Sequence, residues 1–207
     1  MQNKEHYEIN GFNIEFYKIH NIFIINNMFD TNFCNYLVNE IEINKTRKMT
    51  KTNYNNVECY KADFNNKEVE ARLTTIAKIL SELKQIPITG FTEPEYRKVY
   101  GKTHLHADGA CVDTIADPNT MCKIKQVRSL TFVCALNDGF EGGVHKFPEL
   151  DFEIKLGKGC LIAFPPYWTH KHLVTSVENN TYRYTISCWA LDNYLCNNTS
   201  HGNLILL

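Results

Sequence analysis

The feature of this sequence that most restricts its fold is the series of short apolar runs that fills its second half. Each run is shorter than a typical helix, and turn-forming residues separate it from the next. The runs are EYRKVYG (95–101), TFVCALND (131–138), FEGGVHKF (140–147), FEIKLGKG (152–159), CLIAFPP (160–166), HLVTSV (172–177) and YRYTISCWAL (182–191). Turns such as NDGFEGG and LGKG favour hairpins between consecutive runs. This half therefore predicts an antiparallel β-sandwich or small barrel.

The first half has a different pattern, with two amphipathic helices. A strand is predicted over 19–25, followed by a helix that begins at Asp30 or Thr31 and ends near Ile43. Apolar residues at helical spacing predict a second helix over 67–83. Between them, residues 44–66 are polar and rich in asparagine, which indicates a loop with one short strand. The 207 residues are the size of one large domain, and no linker divides them.

Charge and composition exclude some classes of function. The formal net charge is -1, so a general electrostatic attraction to nucleic acid is not favoured. No opening stretch resembles a signal peptide, and no apolar run is long enough to cross a membrane. The eight cysteines form no CxxC pair, which favours reduced thiols over a disulfide framework. We therefore expect a cytoplasmic protein.

Four of the eight histidines lie in two short stretches, HLHAD (104–108) and WTHKHLV (168–174). In an extended segment alternate side chains share a face, so His104, His106 and Asp108 can point the same way. His172 begins another predicted strand. Two imidazoles and one carboxylate on one side of a metal are the ligands of non-haem Fe(II) oxygenases.

Two other interpretations of these histidines remain open. A histidine in a strand is often a surface residue or a core residue with its hydrogen bonds satisfied. A zinc site built from four histidines is also conceivable, although structural zinc more often takes cysteine. Its ligands would be His104, His106, His170 and His172.

The last predicted strand adds a buried cation to this picture. Its alternation places Arg183, Thr185, Ser187 and Trp189 on one face, and an apolar set on the other. An arginine inside a small barrel is costly unless it meets an anion, and a carboxylate is its natural bidentate partner. We therefore favour a carboxylate ligand over an acid from the chain itself.

Taken together, these motifs resemble a known family. HLHAD, RSLTFVCALND, FEGGVHKFPE, GCLIAFPPYWTHKHLV and YRYTISCWALD follow one another as in prolyl 4-hydroxylase-type Fe(II)/2-oxoglutarate dioxygenases. The opening IFIINNMFDTNFCNYLVNEI is similar to the N-terminal strand and helix of that family. The resemblance covers roughly 20–192, and its specificity lies in the order of the motifs.

The resemblance implies an α+β, mainly β fold. It has a double-stranded β-helix (jelly-roll) core and supporting N-terminal helices. Within a single domain of 1–207, residues 1–90 would be the strand and helical support and 91–195 the core. The resemblance further implies that His106, Asp108 and His172 bind Fe(II), and that Arg183 holds the distal carboxylate of 2-oxoglutarate.

The resemblance also implies roles for five further residues. Tyr96 matches a family tyrosine that reaches the cosubstrate, and Thr131 and Ser187 would line the same pocket. Trp189 would lie near the substrate, and Arg128 would either face the entrance or brace the sheet.

Some positions depart from the family pattern. Ala135 stands where some members have a tyrosine for the cosubstrate. His145 stands where the family has an aliphatic residue, and we expect it to point inward. His104 and His170 are interpreted as hydrogen-bonding neighbours of the ligands. The segment 109–127 is long for a hairpin loop and is either a lid or a surface segment.

The implied activity is hydroxylation of an unactivated C–H bond with release of succinate and CO₂. Fe(II) is the expected metal, 2-oxoglutarate and O₂ are the expected cosubstrates, and ascorbate is a further expected cofactor. A prolyl residue in a peptide or protein is the first expected substrate. The alternatives are nucleic-acid demethylation, hydroxylation of a free amino acid, and a non-catalytic jelly-roll binding module. Nucleic acid and membrane are disfavoured as partners, and the oligomeric state stays open.

Overall fold

The computed structural model describes residues 4–49, 58–109, 111–116, 123–177, 179 and 181–196. Two α-helices occur in these ranges, α1 (Thr31–Asn44) and α2 (Lys67–Lys84). The strands are β1 (Lys4–Ile9), β2 (Phe12–Tyr17), β3 (Ile22–Ile25), β4 (Lys45–Met49), β5 (Glu58–Ala62), β6 (Gly90–Phe91), β7 (Glu95–Tyr100), β8 (Cys111–Ala116), β9 (Lys123–Ala135), β10 (His145–Phe147), β11 (Phe152–Ile154), β12 (Leu161–Phe164), β13 (Leu173–Val174) and β14 (Arg183–Cys196).

Most strands belong to one large antiparallel sheet. Its order is β1-β2-β3-β12-β9-β14-β7-β5-β4, with β6 paired to β14 and β8 paired to β9. The long strands β9 and β14 lie at its centre and pair along most of their length. Successive residues of these strands point to opposite faces of the sheet, so one face can pack on helices while the other faces a cavity.

The two helices cover one face of the large sheet. The Asp30 side chain caps α1 by accepting a hydrogen bond from the Phe33 amide at 2.8 Å. The buried side chains of α1 are Cys34, Leu37 and Ile41. They and the apolar face of α2 form one core with sheet residues such as Phe132, Ile186 and Cys188.

A small sheet faces the other side of the large one. Its order is β11-β10-β13, and single bridges between Gly142 and Val177 and between His106 and His172 lengthen it. Phe147 and Phe164 meet edge to face between the two sheets at 5.0 Å. Two facing antiparallel sheets of this kind make a double-stranded β-helix, or jelly-roll, core.

A glycine sets the turn that leads into β10. Gly142 has a φ of +73°, and a Cβ atom there would lie 1.8 Å from the Ser176 carbonyl oxygen. The next residue, Gly143, donates its amide to that same oxygen at 3.3 Å. This close approach of backbone to backbone requires glycine at position 142 and fixes where β10 begins.

The predicted mainly β fold with N-terminal helices is confirmed, and both helices lie where the sequence indicated them. The region 44–66 was predicted to hold one short strand, but it contributes both β4 and β5. The segment 109–127, which was interpreted as a lid or a surface segment, contains strands. Its described residues form β8 and the start of β9, while 110 and 117–122 lie outside the described residues.

The described cysteines and helices bear on disulfides and on membrane spans. The five cysteines whose side chains are described are all free, and three of them are buried. Among the described residues, neither helix combines the length and apolar character needed to cross a membrane.

Candidate active site

A cavity of about 290 Å³ opens between the large sheet and the opposite side of the jelly roll. Its walls come from two groups of residues on opposite sides of the jelly roll. The large sheet contributes Cys59, Arg97, Val99, Thr131, Val133, Arg183, Thr185, Ser187 and Trp189. The facing side contributes Thr103, His104, His106, Asp108, His145, His172 and Val174.

Backbone pairing brings the two histidine segments together at this cavity. The amides of His106 and His172 each donate to the carbonyl of the other, at 3.0 and 2.9 Å. The Nδ1 atom of His106 lies 2.8 Å from the His104 carbonyl, and Nδ1 of His172 lies 3.1 Å from the His170 carbonyl. A carbonyl can only accept, so each Nδ1 carries the proton. In the neutral ring, each Nε2 then has a free lone pair.

The two Nε2 atoms converge on the carboxylate of Asp108. The His106 Nε2 atom is 3.2 Å from Oδ1, and the His172 Nε2 atom is 3.8 Å from Oδ2. One ligand atom from each residue lies within 4.8 Å of the others. Two ligand atoms that each lie about 2.1 Å from one metal ion, with an angle of about 90° between the two bonds, are about 3 Å apart. The three side chains therefore fit a divalent metal ion.

The electrostatics keep Asp108 and His172 in the form that a metal needs. Burial opposes ionisation of Asp108, but hydrogen bonds from His106 and Thr131 and the nearby His172 lower its pKa well below the usual range. Burial lowers the pKa of His172 to about 4, so this imidazole is neutral at neutral pH. The hydrogen bond with Asp108 raises the pKa of His106 and so favours its protonated form in the metal-free protein. Metal binding at Nε2 would displace that proton. A charged carboxylate and a neutral imidazole are both ready to bind a cation.

Two residues of the large sheet hold Asp108 in place. The Thr131 hydroxyl donates to Asp108 Oδ2 at 2.8 Å, and Arg128 donates from Nη1 to the Asp108 backbone carbonyl at 2.7 Å. Such contacts orient a ligand and limit its rotation. The structure therefore places Thr131 in the cavity wall as predicted, in contact with a proposed metal ligand.

Arg183 is a buried cation in the same cavity. Its side chain is 6% exposed, and its Nε atom has no hydrogen-bond partner. Burial and the nearby Arg97 together lower its pKa to about 10. No carboxylate among the described residues pairs with it. An unpaired buried guanidinium is costly, so the cavity is suited to an anionic ligand.

The other residues of this face of β14 follow the predicted alternation. Thr185, Ser187 and Trp189 line the cavity, whereas Ile186 and Cys188 pack in the helix-covered core. Thr185 and Ser187 are buried and bring two hydroxyl groups to the cavity wall that also holds the guanidinium. The face predicted from the sequence is therefore the face that meets the cavity.

The structure corrects the prediction for Tyr96. On β7, Tyr96 pairs with Ile186 and Arg97 pairs with Thr185, so Tyr96 shares the core face. Its ring stacks on Phe64 at 4.1 Å, it is 1% exposed, and it does not line the cavity. The neighbouring Arg97 occupies the cavity wall instead. A one-residue difference in register is enough to exchange the two faces of a strand.

Trp189 and Arg128 lie together at the edge of the cavity. The guanidinium of Arg128 lies 3.8 Å from the centroid of the Trp189 ring, which is close enough for a cation–π contact. Trp189 lines the cavity, whereas Arg128 braces the Asp108 carbonyl and lies outside the lining. Of the two roles considered for Arg128, the geometry favours bracing.

The two remaining histidines do not complete a four-histidine zinc site. His170 uses both ring nitrogens elsewhere, with Nε2 at 2.7 Å from the His20 carbonyl and Nδ1 at 2.9 Å from the Thr169 hydroxyl. Its backbone carbonyl holds Nδ1 of His172, which is a supporting role. His104 lines the cavity, and its ring centroid is 5.0 Å from that of His106.

Sequence reasoning did not assign several cavity residues. Cys59 and Arg97 come from β5 and β7, and their orientation depends on pairing between strands that are distant in sequence. Alternation along β7 does separate Tyr96 from Arg97, but it does not say which of them faces inward. The expected inward orientation of His145 is found, and its side chain lines the cavity.

The chain was compared with known proteins and solved structures. Neither protein-family models nor curated proteins match it. A viral collagen prolyl hydroxylase from Paramecium bursaria Chlorella virus-1, in complex with 2-oxoglutarate, is similar with a TM-score of 0.58 and 20% identity, over 83% of this chain and 96% of that one. A Pseudomonas putida prolyl-4-hydroxylase has a TM-score of 0.60 at 15% identity, over 84% and 93% of the two chains.

A third solved structure is similar to the same extent. It is a Trichoplax adhaerens prolyl hydroxylase in complex with a peptide fragment of the hypoxia-inducible factor oxygen degradation domain. Its TM-score is 0.57 at 16% identity, over 84% of each chain. The structural similarity establishes the fold. Because the sequence identities are low, the activity has to be argued from the site. The chain has a prolyl 4-hydroxylase-like fold.

Proposed function

We propose that this protein is an Fe(II)- and 2-oxoglutarate-dependent dioxygenase that hydroxylates a prolyl residue of a peptide or protein. One observation carries the proposal. The same cavity contains a convergent His-Asp-His set and a buried arginine that has no carboxylate partner among the described residues. A metal triad alone would fit other chemistry, but a triad with a separate carboxylate-binding cation fits a keto diacid.

His106, Asp108 and His172 would hold the metal through the two Nε2 atoms and the carboxylate. Bound Fe(II), together with 2-oxoglutarate and O₂, supplies the oxidising chemistry and yields succinate and CO₂ along with the hydroxylated product. The chain itself positions and shields. Thr131 keeps the Asp108 carboxylate turned toward the histidines.

Arg183 would bind the distal carboxylate of 2-oxoglutarate. The hydroxyls of Thr185 and Ser187 lie on the same strand face and offer further donors. Apolar side chains, Val99, Val133 and Val174, line the same cavity and limit the space for water. An ion pair formed in such surroundings is stronger than one in water.

The peptide substrate is supported by the fold and by the edge of the cavity. One of the similar structures holds a peptide fragment. Trp189 lines the cavity and packs on Arg128, so the cavity offers an aromatic side chain to a substrate. Proline rings pack well on aromatic faces. The first substrate to test is therefore a proline-containing peptide.

The test is a screen for succinate release after anaerobic loading with Fe(II). Proline-rich peptides, free amino acids and methylated oligonucleotides are offered with 2-oxoglutarate and then O₂. We expect succinate release that depends on a peptide, with a mass increase of one oxygen atom on proline. Release that depends on an oligonucleotide or a free amino acid would reassign the substrate, and metal binding without turnover would indicate a binding module.

Variants of the metal ligands test the assignment of the site. His106→Ala and Asp108→Ala should each abolish substrate-dependent succinate formation and weaken metal binding. His6→Ala is the matched control, because His6 is an exposed residue of β1. Substrate-dependent turnover by either ligand variant, with iron present, would refute the assigned metal site.

A further inference from the structure

His145 is a buried imidazole in the cavity wall that the proposed mechanism does not yet use. Its side chain is 3% exposed, and its Nδ1 atom has no hydrogen-bond partner in the described part of the chain. It projects from β10 of the small sheet, on the side of the cavity opposite to Arg183. A buried polar atom without a partner is destabilising, and native proteins rarely keep one without a reason.

His145 shares the cavity wall with the buried arginine and with His172. The charges of Arg183 and of His172 both act on it, and the effect of Arg183 is the larger. It pairs with Val174 of the neighbouring strand β13, which is another residue of the cavity wall. His145 does not belong to the group of ligand atoms that lie within 4.8 Å of one another. It therefore faces the space that a small acid would fill.

The charge state of His145 decides what it can offer. Complete burial, with Arg183 and His172 nearby, lowers its pKa well below the ordinary value. The imidazole is therefore neutral at neutral pH, with one N–H donor and one acceptor nitrogen. A neutral N–H group can donate to a carboxylate without adding a second buried charge next to Arg183.

We propose that His145 donates a hydrogen bond to the carboxylate held by Arg183. The two residues, on facing sheets, would form a subsite for one end of a small dicarboxylic acid. This inference rests on the proposed function, because the acid is taken to be 2-oxoglutarate. It adds a binding residue at the position where the family resemblance predicts an aliphatic side chain. Bidentate contact with the arginine and one imidazole N–H would satisfy more of the carboxylate's acceptor sites than the arginine alone.

Binding of succinate to the full-length protein tests this inference. Calorimetric titration with succinate in the presence of a chelator measures the acid subsite without turnover. The variants are His145→Leu, which removes the donor at similar volume, and His145→Gln, which keeps an N–H donor. His20→Leu is the matched control, because the His20 Nδ1 atom is also buried without a partner but lies outside the cavity lining.

We expect His145→Leu to weaken succinate binding about tenfold, as loss of a hydrogen bond to a charged acceptor does. His145→Gln should retain affinity within about threefold, and His20→Leu should bind like the wild type. In turnover, His145→Leu should raise the KM for 2-oxoglutarate more than it lowers kcat. Near-ultraviolet circular dichroism checks the fold of each variant, and His145→Met replaces the leucine variant if that protein does not fold.

Equal succinate affinities of the wild type and a folded His145→Leu or His145→Met variant would overturn the inference. So would a wild type that binds no succinate. Neither outcome depends on finding the substrate, so this failure is distinct from a failure of the proposed function. Succinate binding that depends on His145, in a protein that never releases succinate from 2-oxoglutarate, would support the subsite and reject the dioxygenase.

Discussion

Replacement of Arg183 by methionine should make the ligand-free protein more stable while it removes the binding site for the acid. The guanidinium is 6% exposed and has no carboxylate partner among the described residues. Burial and the nearby Arg97 lower its pKa from 12.5 to about 10. Since a tenfold change in a proton equilibrium is about 1.4 kcal/mol, the charged form costs the empty fold about 3 kcal/mol.

Methionine keeps much of the aliphatic packing of arginine without its charge. Removal of a buried charge in favour of an apolar side chain often stabilises a protein by about 1–4 kcal/mol. We therefore expect Arg183→Met to raise the free energy of unfolding of the ligand-free protein by about 1–3 kcal/mol. The matched control is Arg72→Met. It removes a guanidinium that is paired with Glu68 at 3.2 Å and lies outside the cavity lining, so it should not raise the stability.

Urea denaturation with and without succinate measures both effects. Succinate at 100 times its Kd should stabilise the wild type by about 2.7 kcal/mol, and it should leave Arg183→Met unchanged. The reasoning would be refuted by a variant that is less stable than the wild type without ligand and that gains equally from succinate. That result would mean that Arg183 is satisfied within the protein and that the acid binds elsewhere.

Three other perturbations test the supports of the site and of the fold. Thr131→Val removes the 2.8 Å hydrogen bond to Asp108 and should weaken Mn²⁺ binding about tenfold, as measured by electron paramagnetic resonance. Thr131→Ser keeps a hydroxyl group and should bind Mn²⁺ like the wild type. Equal Mn²⁺ affinities of Thr131→Val and the wild type would show that Thr131 does not support the metal site. Gly142→Ala places a Cβ 1.8 Å from a carbonyl oxygen and should cost more than about 2 kcal/mol in urea denaturation. Gly11 also has a positive φ, +78°, but no atom lies near the position of its Cβ, so Gly11→Ala should lower the free energy of unfolding by about 1 kcal/mol. Equal losses for the two variants would show that the close contact at position 142 adds no cost. Burial opposes ionisation of Glu42, but hydrogen bonds from two lysines and a tyrosine lower its pKa to about 2, below the ordinary 4.5. Its contribution to the free energy of unfolding is therefore present above about pH 4.5 and is lost as the pH falls toward 2. Glu42→Gln should make the free energy of unfolding depend less on pH in this range. If the wild type and the variant show the same pH dependence, the ion pairs of Glu42 contribute nothing to stability.

Local periodicity accounts for much of what could be predicted. The spacing of apolar residues determined both helices, and the alternation along β14 determined which of its residues share a face with Arg183. These are properties of a few consecutive residues, because the backbone of a helix or strand repeats over a short distance. The chemistry of HLHAD and WTHKHLV also predicted the ligand types without any knowledge of the sheet.

Strand register was not accessible in the same way. The choice between Tyr96 and Arg97 for the cavity depends on hydrogen bonds from β7 to β14, a strand that follows some ninety residues later, and a shift of one residue would reverse it. Cys59 reached the cavity wall because β5 pairs with β7, in a region that the sequence indicated to be mostly loop.

The sequence by itself determined the residues that could bind a metal and an acid, since side-chain chemistry and alternation are local. Only the tertiary structure decided that these residues meet. His106 and His172 exchange backbone hydrogen bonds although they are far apart in sequence, and His145 and Arg183 line one cavity from different sheets. Such contacts depend on how the two sheets pack as a whole, because each involves residues that no short stretch of sequence contains together.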